Sequence, residues 1–375
     1  MLALSMNDLK IGSANTLQAS VSTPTQPPNV KDCTSAQLEE YMKLRSTPLR
    51  YAGRLGGNQE FVVDPTDPNT QSLLQKIPDA APWLSIRDIF SLRGFRESVI
   101  WKPAILEGMG TMALCYATIL LASSPSLNVE PLPVPATPSG AFSTVIFLGP
   151  LVGSISNIIL ISLFIFTFGV VSGGHLNPLI TIATFMCRLT TLPRAVLYVS
   201  FQLCGAVLGG LLVRASLNTT DFKAGGCFFD PNLVEAGQHF AIEFTSSLTL
   251  LFLAFGVGLD PRQASTFGPA LAPILVGFAL GVISLASAFT IQGYGGAGMN
   301  PARCMAVWVG SGHSLGVTGS SPEFGYAGSN GRRLWVYFVG PIAAAILHGV
   351  VYQLLPPWSL EGKKQSSDND RTKEV

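Results

Sequence analysis

Two short motifs of small residues followed by Asn-Pro interrupt an otherwise apolar chain. They read GGHLNPLIT and GAGMNPARC. Asn before Pro favours the start of a helix, because the amide caps free backbone N–H groups and proline lacks the N–H that would go unpaired. We therefore predict two short helices capped by Asn177 and Asn300, with Pro178 and Pro301 as their first residues.

Three further side chains in these motifs could carry chemistry. Arg303 lies just inside the second helix, and a buried arginine in a membrane is costly and usually functional, so we expect it to line a pore. His175 is either a pH gate or a lock on its loop, and we favour the lock because histidine titrates near neutrality only when it is exposed. Cys304 is either a reactive thiol reachable from the pore or a small residue that packs the short helix.

Two carboxylates lie inside apolar stretches of the chain. Glu107 and Glu243 occupy matching early positions in PAILEGMGTMALCYATILLA and HFAIEFTSSLTLLFLAFGV. A proton relay is one possible role. The alternative is that each carboxylate accepts hydrogen bonds from the backbone of an Asn-Pro loop. Burial without such partners is too costly, so we expect the structural role.

The whole chain is poor in charge. Of its 375 residues, 48% are hydrophobic and 12% are charged, whereas soluble domains are about a quarter charged. This composition indicates a polytopic membrane protein. A net charge of +1 without a basic run gives no support to nucleic-acid binding. The six cysteines lack metal-ligand spacing, and we expect neither a disulfide framework nor a metal site or cofactor.

Six apolar runs are long enough to cross a bilayer, which requires about 20 residues per helix. Backbone polar groups in lipid must be hydrogen-bonded internally, so we predict that each run is a helix. An Asn-Pro motif follows the second run and the fifth. The runs are roughly 104–123, 144–169, 195–216, 239–258, 269–290 and 334–355.

The predicted spans define three regions of the chain. Residues 1–97 are rich in Ser, Thr, Pro, Asn and Gln and are expected to form a mostly disordered cytosolic tail, with short helices such as SAQLEEYMKL. Residues 98–357 form the membrane domain, with one repeat at about 100–216 and a second at about 239–356. Residues 358–375 are a charged cytosolic tail. The Pro-rich SPSLNVEPLPVPATPSG is expected to be an exposed loop.

Three spans in each half imply that the second half is inverted in the membrane, as in many channels and transporters. The two short helices then enter from opposite faces, and their N-termini meet near the midplane. Positive charges place both chain termini in the cytosol, apart from Arg332 and Arg333, which fall on the opposite side. The supporting residues are Arg93, Arg96, Lys102, Arg188, Arg194, Arg262, Lys363 and Lys364.

Two helix N-termini facing one passage would favour neutral, oxygen-bearing solutes. Each end carries about half a positive charge, and the Asn amides donate hydrogen bonds. Such a site repels protons and metal ions. Irregular backbone at this depth is tolerated only where it lines a pore or is buried in protein.

The paired boxes GGHLNP and GMNPAR, together with six spans, resemble the aquaporin, or major intrinsic protein, family over about residues 100–356. Leu179 in the first box and the cysteine after Asn300-Pro301-Ala302 are similar to the plant X intrinsic proteins. The resemblance implies an all-α membrane protein, an aquaporin-like bundle of six transmembrane helices plus two half-helices in an inverted repeat. It also implies a homotetrameric plasma-membrane channel.

The resemblance further implies an aromatic/arginine constriction. Arg303 matches its arginine, and ungapped counting from the two boxes places Asn157, Ala288 and Ala297 at the other positions. Water-selective members usually have Phe and His at the positions of Asn157 and Ala288. Smaller residues predict passage of glycerol, urea, boric acid and hydrogen peroxide. Leu179, where the family usually has Ala, is expected to add bulk near the midplane and to lower water conductance.

Several alternatives remain open. The protein is a passive channel for small uncharged solutes, a conventional water-selective aquaporin, a proton-coupled secondary transporter using Glu107 and Glu243, or a non-conducting structural membrane protein. None of these is an enzyme. The expected partners are the lipid bilayer, small neutral solutes and water. Asn218 begins an N-x-T sequon, but its closeness to the third span disfavours glycosylation.

Overall fold

The structure is a computed structural model that describes residues 84–125, 145–218, 220, 222–230, 233–260, 264–311 and 333–354. The predicted tail helix SAQLEEYMKL, most of the Pro-rich loop after the first span and the charged C-terminal tail lie outside these ranges. The proposed boundaries of the two tails are therefore not addressed by the described residues.

Six long helices, each apolar enough to cross a membrane, run through the described ranges. They confirm the predicted all-α bundle and the order of its spans. Most begin a few residues before the predicted apolar run, because polar residues extend a helix beyond the hydrocarbon core. Spans one to six are Ser98–Ala122, Val145–Ser172, Leu192–Leu217, Ala236–Ala254 with a π-helical extension Phe255–Leu259, Ala264–Ser287, and Val336–Leu354.

Two half-helices follow spans two and five, as predicted. The first is Pro178–Met186 and the second is Pro301–Gly310. The first half-helix packs against span six and the second packs against span three. Each half-helix therefore packs against the last span of the opposite half of the chain, so the two halves interlock.

Glycines allow this interlocking. A Cβ at Gly210 would collide with the backbone oxygen of Ala306, and a Cβ at Gly349 would collide with Met186. Spans one and three also meet closely, because Gly205 faces the backbone oxygen of Gly108. Small residues at such contacts let helix backbones approach in a membrane. The glycines of span three therefore serve close packing.

Short elements flank the spans. Before span one lie an α-helix at Ile86–Ile89 and a 3-10 helix at Leu92–Arg96, within the part predicted to be a tail. After span one, strand β1 at Ser123–Pro125 pairs antiparallel with strand β2 at Phe222–Ala224, which follows span three. The sequence pattern does not predict this strand pair. It positions the loop at residues 225–230, referred to below as the outer loop.

Candidate functional site

The two Asn-Pro boxes form matching helix caps. Asn177 Oδ1 accepts a hydrogen bond from the backbone N–H of Leu179 at 2.9 Å. Asn300 Oδ1 accepts from the N–H groups of Ala302 and Arg303 at 3.0 and 3.3 Å. Each box has proline at the start of the helix. Both caps therefore form as local sequence chemistry predicts.

The asparagine side chains also join the two boxes crosswise. Asn177 Nδ2 donates to the carbonyl oxygen of Met299 at 2.9 Å, and Asn300 Nδ2 donates to the carbonyl oxygen of Leu176 at 3.1 Å. Leu176 and Met299 have φ values of 49° and 50°, a left-handed conformation that is strained for residues with a branched or long side chain. The strain aims each carbonyl group at the opposite box.

Glu107 accepts hydrogen bonds from the backbone of the first box. It is fully buried and accepts hydrogen bonds from the backbone N–H groups of His175 and Leu176 at 3.0 and 2.6 Å. Ser172 Oγ and Gln202 Nε2 donate to it at 2.5 and 2.8 Å. Four donors offset the cost of burying the carboxylate. The geometry is that of the structural role predicted for this residue.

Glu243 supports the second box in the same way. It is also fully buried. It accepts from the backbone N–H groups of Gly298 and Met299 at 2.8 and 3.3 Å, and from the hydroxyl of Tyr294 at 2.5 Å. Glu107 and Glu243 therefore contact the residue that immediately precedes each capping asparagine.

His175 lies inside the first loop. Only 4% of its surface is exposed. Its Nδ1 lies 3.1 Å from the Thr181 hydroxyl, and its ring packs edge-on against Tyr198. The residue thus ties the loop to the first half-helix, and it presents almost no surface at which a pH gate could sense solvent.

A cavity of about 360 Å³ lies beside the two boxes on the side of the outer loop. Asn157, Ala288, Ala297 and Arg303 all line it, together with the capping residues Asn177 and Asn300. Ungapped counting from the boxes therefore selected residues that the fold brings to one cavity. Residues that carried no sequence signal also line it, among them Thr118, Leu160, Gly225, Gly226 and Phe228.

The outer loop holds the guanidinium of Arg303. Nη2 donates to the carbonyl oxygen of Gly225 at 2.6 Å, and Nη1 donates to Cys227 Sγ at 3.3 Å. On the other side, Nε donates to the hydroxyl of Thr118 at 3.4 Å. The arginine is thus fixed by three groups from two separate parts of the chain, the outer loop and span one.

Cys304 is not a free thiol. It forms a disulfide with Cys227, 77 residues away in the sequence. The candidate reactive thiol and the expected absence of disulfides are therefore both wrong. Neither cysteine has a motif that pairs it with the other, and only the outer loop brings them together. Within the described ranges, Cys115, Cys187 and Cys204 are not disulfide-bonded.

Leu179 is not among the residues that line the cavity. Its side chain is fully buried in a hydrophobic cluster that includes Leu250, Leu251 and Met299. Ala302, the small residue of the second box, is also fully buried. The expectation that Leu179 adds bulk near the midplane and lowers water conductance stays a prediction.

No group of three potential ligands that could hold a metal ion occurs among the described residues. What the fold defines is a multi-pass α-helical membrane protein. Two inverted three-span halves each contribute a half-helix, and a cavity lined by Arg303 and both capping asparagines lies where these half-helices meet.

The chain belongs to the major intrinsic protein family. The family profile, described as "Major intrinsic protein", matches residues 95–352. This range contains both half-helices, the first five spans and all but the last two residues of span six.

Plant aquaporins are among its relatives. Aquaporin TIP3-2 of Zea mays is 35% identical over 191 residues, covering 50% of this chain and 61% of the relative. Aquaporin TIP4-2 of Zea mays is 33% identical over 192 residues, covering 49% and 62%. Aquaporin PIP2-4 of Oryza sativa subsp. japonica is 30% identical over 198 residues, covering 51% and 62%. The matches thus span less than two thirds of each relative.

Among solved structures, the aquaglyceroporin from Plasmodium falciparum aligns over 68% of this chain and 95% of its own chain. The identity is 19% and the TM-score is 0.47. The fold class rests on the helices described above and not on this alignment.

We expect Glu107→Gln and Glu243→Gln to lower stability by about 1–3 kcal/mol each, because an amide N–H then faces backbone N–H groups that need an acceptor. Thermal unfolding of the purified protein in detergent measures the loss. Glu97→Gln, at an exposed position, is the matched control and should leave stability unchanged.

The same variants distinguish the structural role of the two carboxylates, which accept hydrogen bonds from the Asn-Pro loops, from a role in proton coupling. Any solute uptake that survives should be insensitive to a pH gradient. If the wild type shows proton-driven accumulation of solute and a well-folded Gln variant loses it, the structural role does not account for the carboxylates. The transporter alternative then gains support.

Proposed function

We propose that the protein is a passive channel for small uncharged solutes such as glycerol, urea, boric acid and hydrogen peroxide, with low water conductance by the same route. One observation carries this proposal. A cavity at the meeting point of two opposed half-helices is lined by a single arginine and by small side chains at the positions expected for a constriction.

Hydrogen-bond donors favour neutral solutes at this site. Each asparagine amide has two N–H donors, and one from each box is used in the crossed hydrogen bonds. The second donor of Asn177 and of Asn300 remains for a solute oxygen. The Arg303 guanidinium adds a fixed positive charge, and each helix end adds about half a charge. A cation would therefore lose hydration and meet net repulsion.

The size of the side chains favours solutes larger than water. Ala288 and Ala297 line the cavity and have only methyl side chains, and the side chain of Asn157 is smaller than an aromatic ring. A wider constriction strips less water from a solute such as glycerol. A conventional water-selective aquaporin is the main alternative, and it would pass water without these solutes.

Further assignments belong to the same proposal. Leu179 in the first box and Cys304 after the second support membership of the plant X intrinsic proteins. We propose a homotetramer in the plasma membrane with both termini cytosolic, tails at residues 1–97 and 358–375, and a channel domain at residues 98–357. The disulfide supports this orientation, because it would lie on the outer face, where disulfides persist.

Stopped-flow measurements on proteoliposomes test the proposal. Water, glycerol, urea, boric acid and hydrogen peroxide should each equilibrate faster than in empty liposomes, without saturation and without dependence on a pH gradient. Flux of water alone would favour the water-selective alternative. Saturable, pH-driven uptake would favour a transporter, and the absence of all flux would favour a structural protein.

Ala288→His should reduce glycerol and urea flux more than water flux, because the imidazole fills part of the cavity at the proposed constriction. Ala288→Ser adds only one oxygen and should keep the ratio of glycerol to water flux near that of the wild type. Equal loss of water and glycerol flux at unchanged protein abundance would refute the assignment of this position to a size filter.

Arg303→Val should widen the constriction, raise neutral-solute flux and allow some proton leak without opening the pore to potassium. The substitution removes one full charge but leaves both helix ends in place. Arg303→Lys keeps the charge and should exclude protons better than Arg303→Val. Voltage-clamp currents and solute uptake are recorded from the same expressing cells. Wild-type proton or potassium current comparable to solute flux would contradict the opposed-half-helix mechanism.

A further inference from the structure

The disulfide lies directly behind the cavity. Cys227 belongs to the outer loop and Cys304 to the first turn of the second half-helix. Both cysteines are fully buried. Cys304 is adjacent in sequence to Arg303, so the cross-link joins the outer loop to the turn of helix that carries the arginine.

The outer loop contacts the guanidinium of Arg303 directly. The carbonyl oxygen of Gly225 accepts from Arg303 Nη2 at 2.6 Å, and Cys227 Sγ accepts from Nη1 at 3.3 Å. Gly226 has a φ of 86°, and a Cβ there would lie 2.7 Å from Arg303 Nη1. The positive φ favours glycine at this position, and a larger residue would also have to displace the guanidinium.

The outer loop also forms backbone hydrogen bonds with the segment that precedes the second box. Gly226 N–H donates to the Gly295 carbonyl at 2.7 Å, and Asp230 N–H donates to the Gly293 carbonyl at 2.7 Å. In the opposite direction, Gly295 N–H donates to the Phe228 carbonyl at 2.9 Å. These neutral hydrogen bonds are individually weak. The disulfide is the covalent link between the outer loop and the half-helix.

The first box has no counterpart to this arrangement. Three residues after Asn177 stands Ile180, where the second box has Arg303, and the next residue is Thr181, where the second box has Cys304. Thr181 contacts His175 and Gln202 within its own half. The disulfide and the hydrogen bonds from the outer loop to the arginine therefore occur only at the second box.

We propose that the Cys227–Cys304 disulfide is a positioning element of the constriction. It keeps the carbonyl of Gly225 against Arg303 and thereby sets the size limit for neutral solutes. This inference rests on the proposed channel function. Without the cross-link, the outer loop moves away from the second half-helix, Arg303 loses its carbonyl partner, and the passage widens.

Serine substitutions test the proposal in proteoliposomes. Cys227→Ser, Cys304→Ser and the double variant should each raise the ratio of glycerol to water flux by about fivefold, the factor equivalent to one ordinary hydrogen bond. Cys204→Ser, at an exposed free cysteine, is the matched control and should leave the ratio unchanged. Mass spectrometry of non-reduced peptides verifies the disulfide in the wild type.

A double-mutant cycle distinguishes positioning from general stability. If the disulfide acts through Arg303, removing both cysteines in an Arg303→Val background should not change the flux ratio further. An additional shift of the same size in that background would overturn the proposal, as would a wild-type ratio in a well-folded cysteine variant. Absence of glycerol flux in the wild type would instead refute the proposed function.

Reduction of the wild-type protein covers the case in which the serine variants do not fold. Dithiothreitol supplies two electrons and two protons, the S–S bond breaks to give two thiols, and the reductant becomes a cyclic disulfide. The reduced fraction is counted by alkylation and mass spectrometry before reconstitution. The flux ratio should rise in proportion to that fraction, and an unchanged ratio in fully reduced protein would overturn the proposal.

Discussion

The crossed hydrogen bonds between the two Asn-Pro boxes are the constraint on which the rest of the structure depends. Each asparagine caps its own half-helix and also donates to the carbonyl that precedes the other asparagine. These carbonyl groups can be reached only because Leu176 and Met299 adopt left-handed backbone conformations. The buried carboxylates of Glu107 and Glu243 accept the N–H groups of the same two residues. Every polar group at this depth needs such a partner, since lipid offers none.

This network requires the two halves of the chain to fold around each other. The first half-helix packs against span six and the second against span three, so neither half can complete its own packing. The carboxylates sit in spans one and four, which support the boxes of their own halves. Inverted repetition therefore satisfies the backbone of two irregular loops at once, and it leaves the two helix N-termini side by side.

The symmetry of the network stops at the outer loop. Ile180 and Thr181 of the first half are buried. At the matching positions of the second half, Arg303 and Cys304 are bonded to the outer loop. The repeated parts build the scaffold, and the parts found in one half only form the proposed constriction. A charged side chain, a carbonyl acceptor and a covalent cross-link meet there in one small volume.

The sequence alone determined the spans, the helix caps and the role of the buried carboxylates. Apolar length predicts the six spans, and Asn-Pro predicts the caps at Asn177 and Asn300, because both depend on residues close together in the chain. The matching positions of Glu107 and Glu243 predict their bracing role. The resemblance to the major intrinsic protein family, with ungapped counting from the boxes, selects Asn157, Ala288, Ala297 and Arg303, which line one cavity.

Only the tertiary structure decided which distant segments meet. Cys227 and Cys304 are 77 residues apart, and nothing in their local sequence pairs them. The position of the outer loop depends on the pairing of β1 with β2, which joins the ends of spans one and three. Leu179 has a pore-motif position in the sequence, and only the fold shows that its side chain is fully buried in a hydrophobic cluster. Such contacts are set by the packing of spans against each other, a property that no single segment of the chain contains.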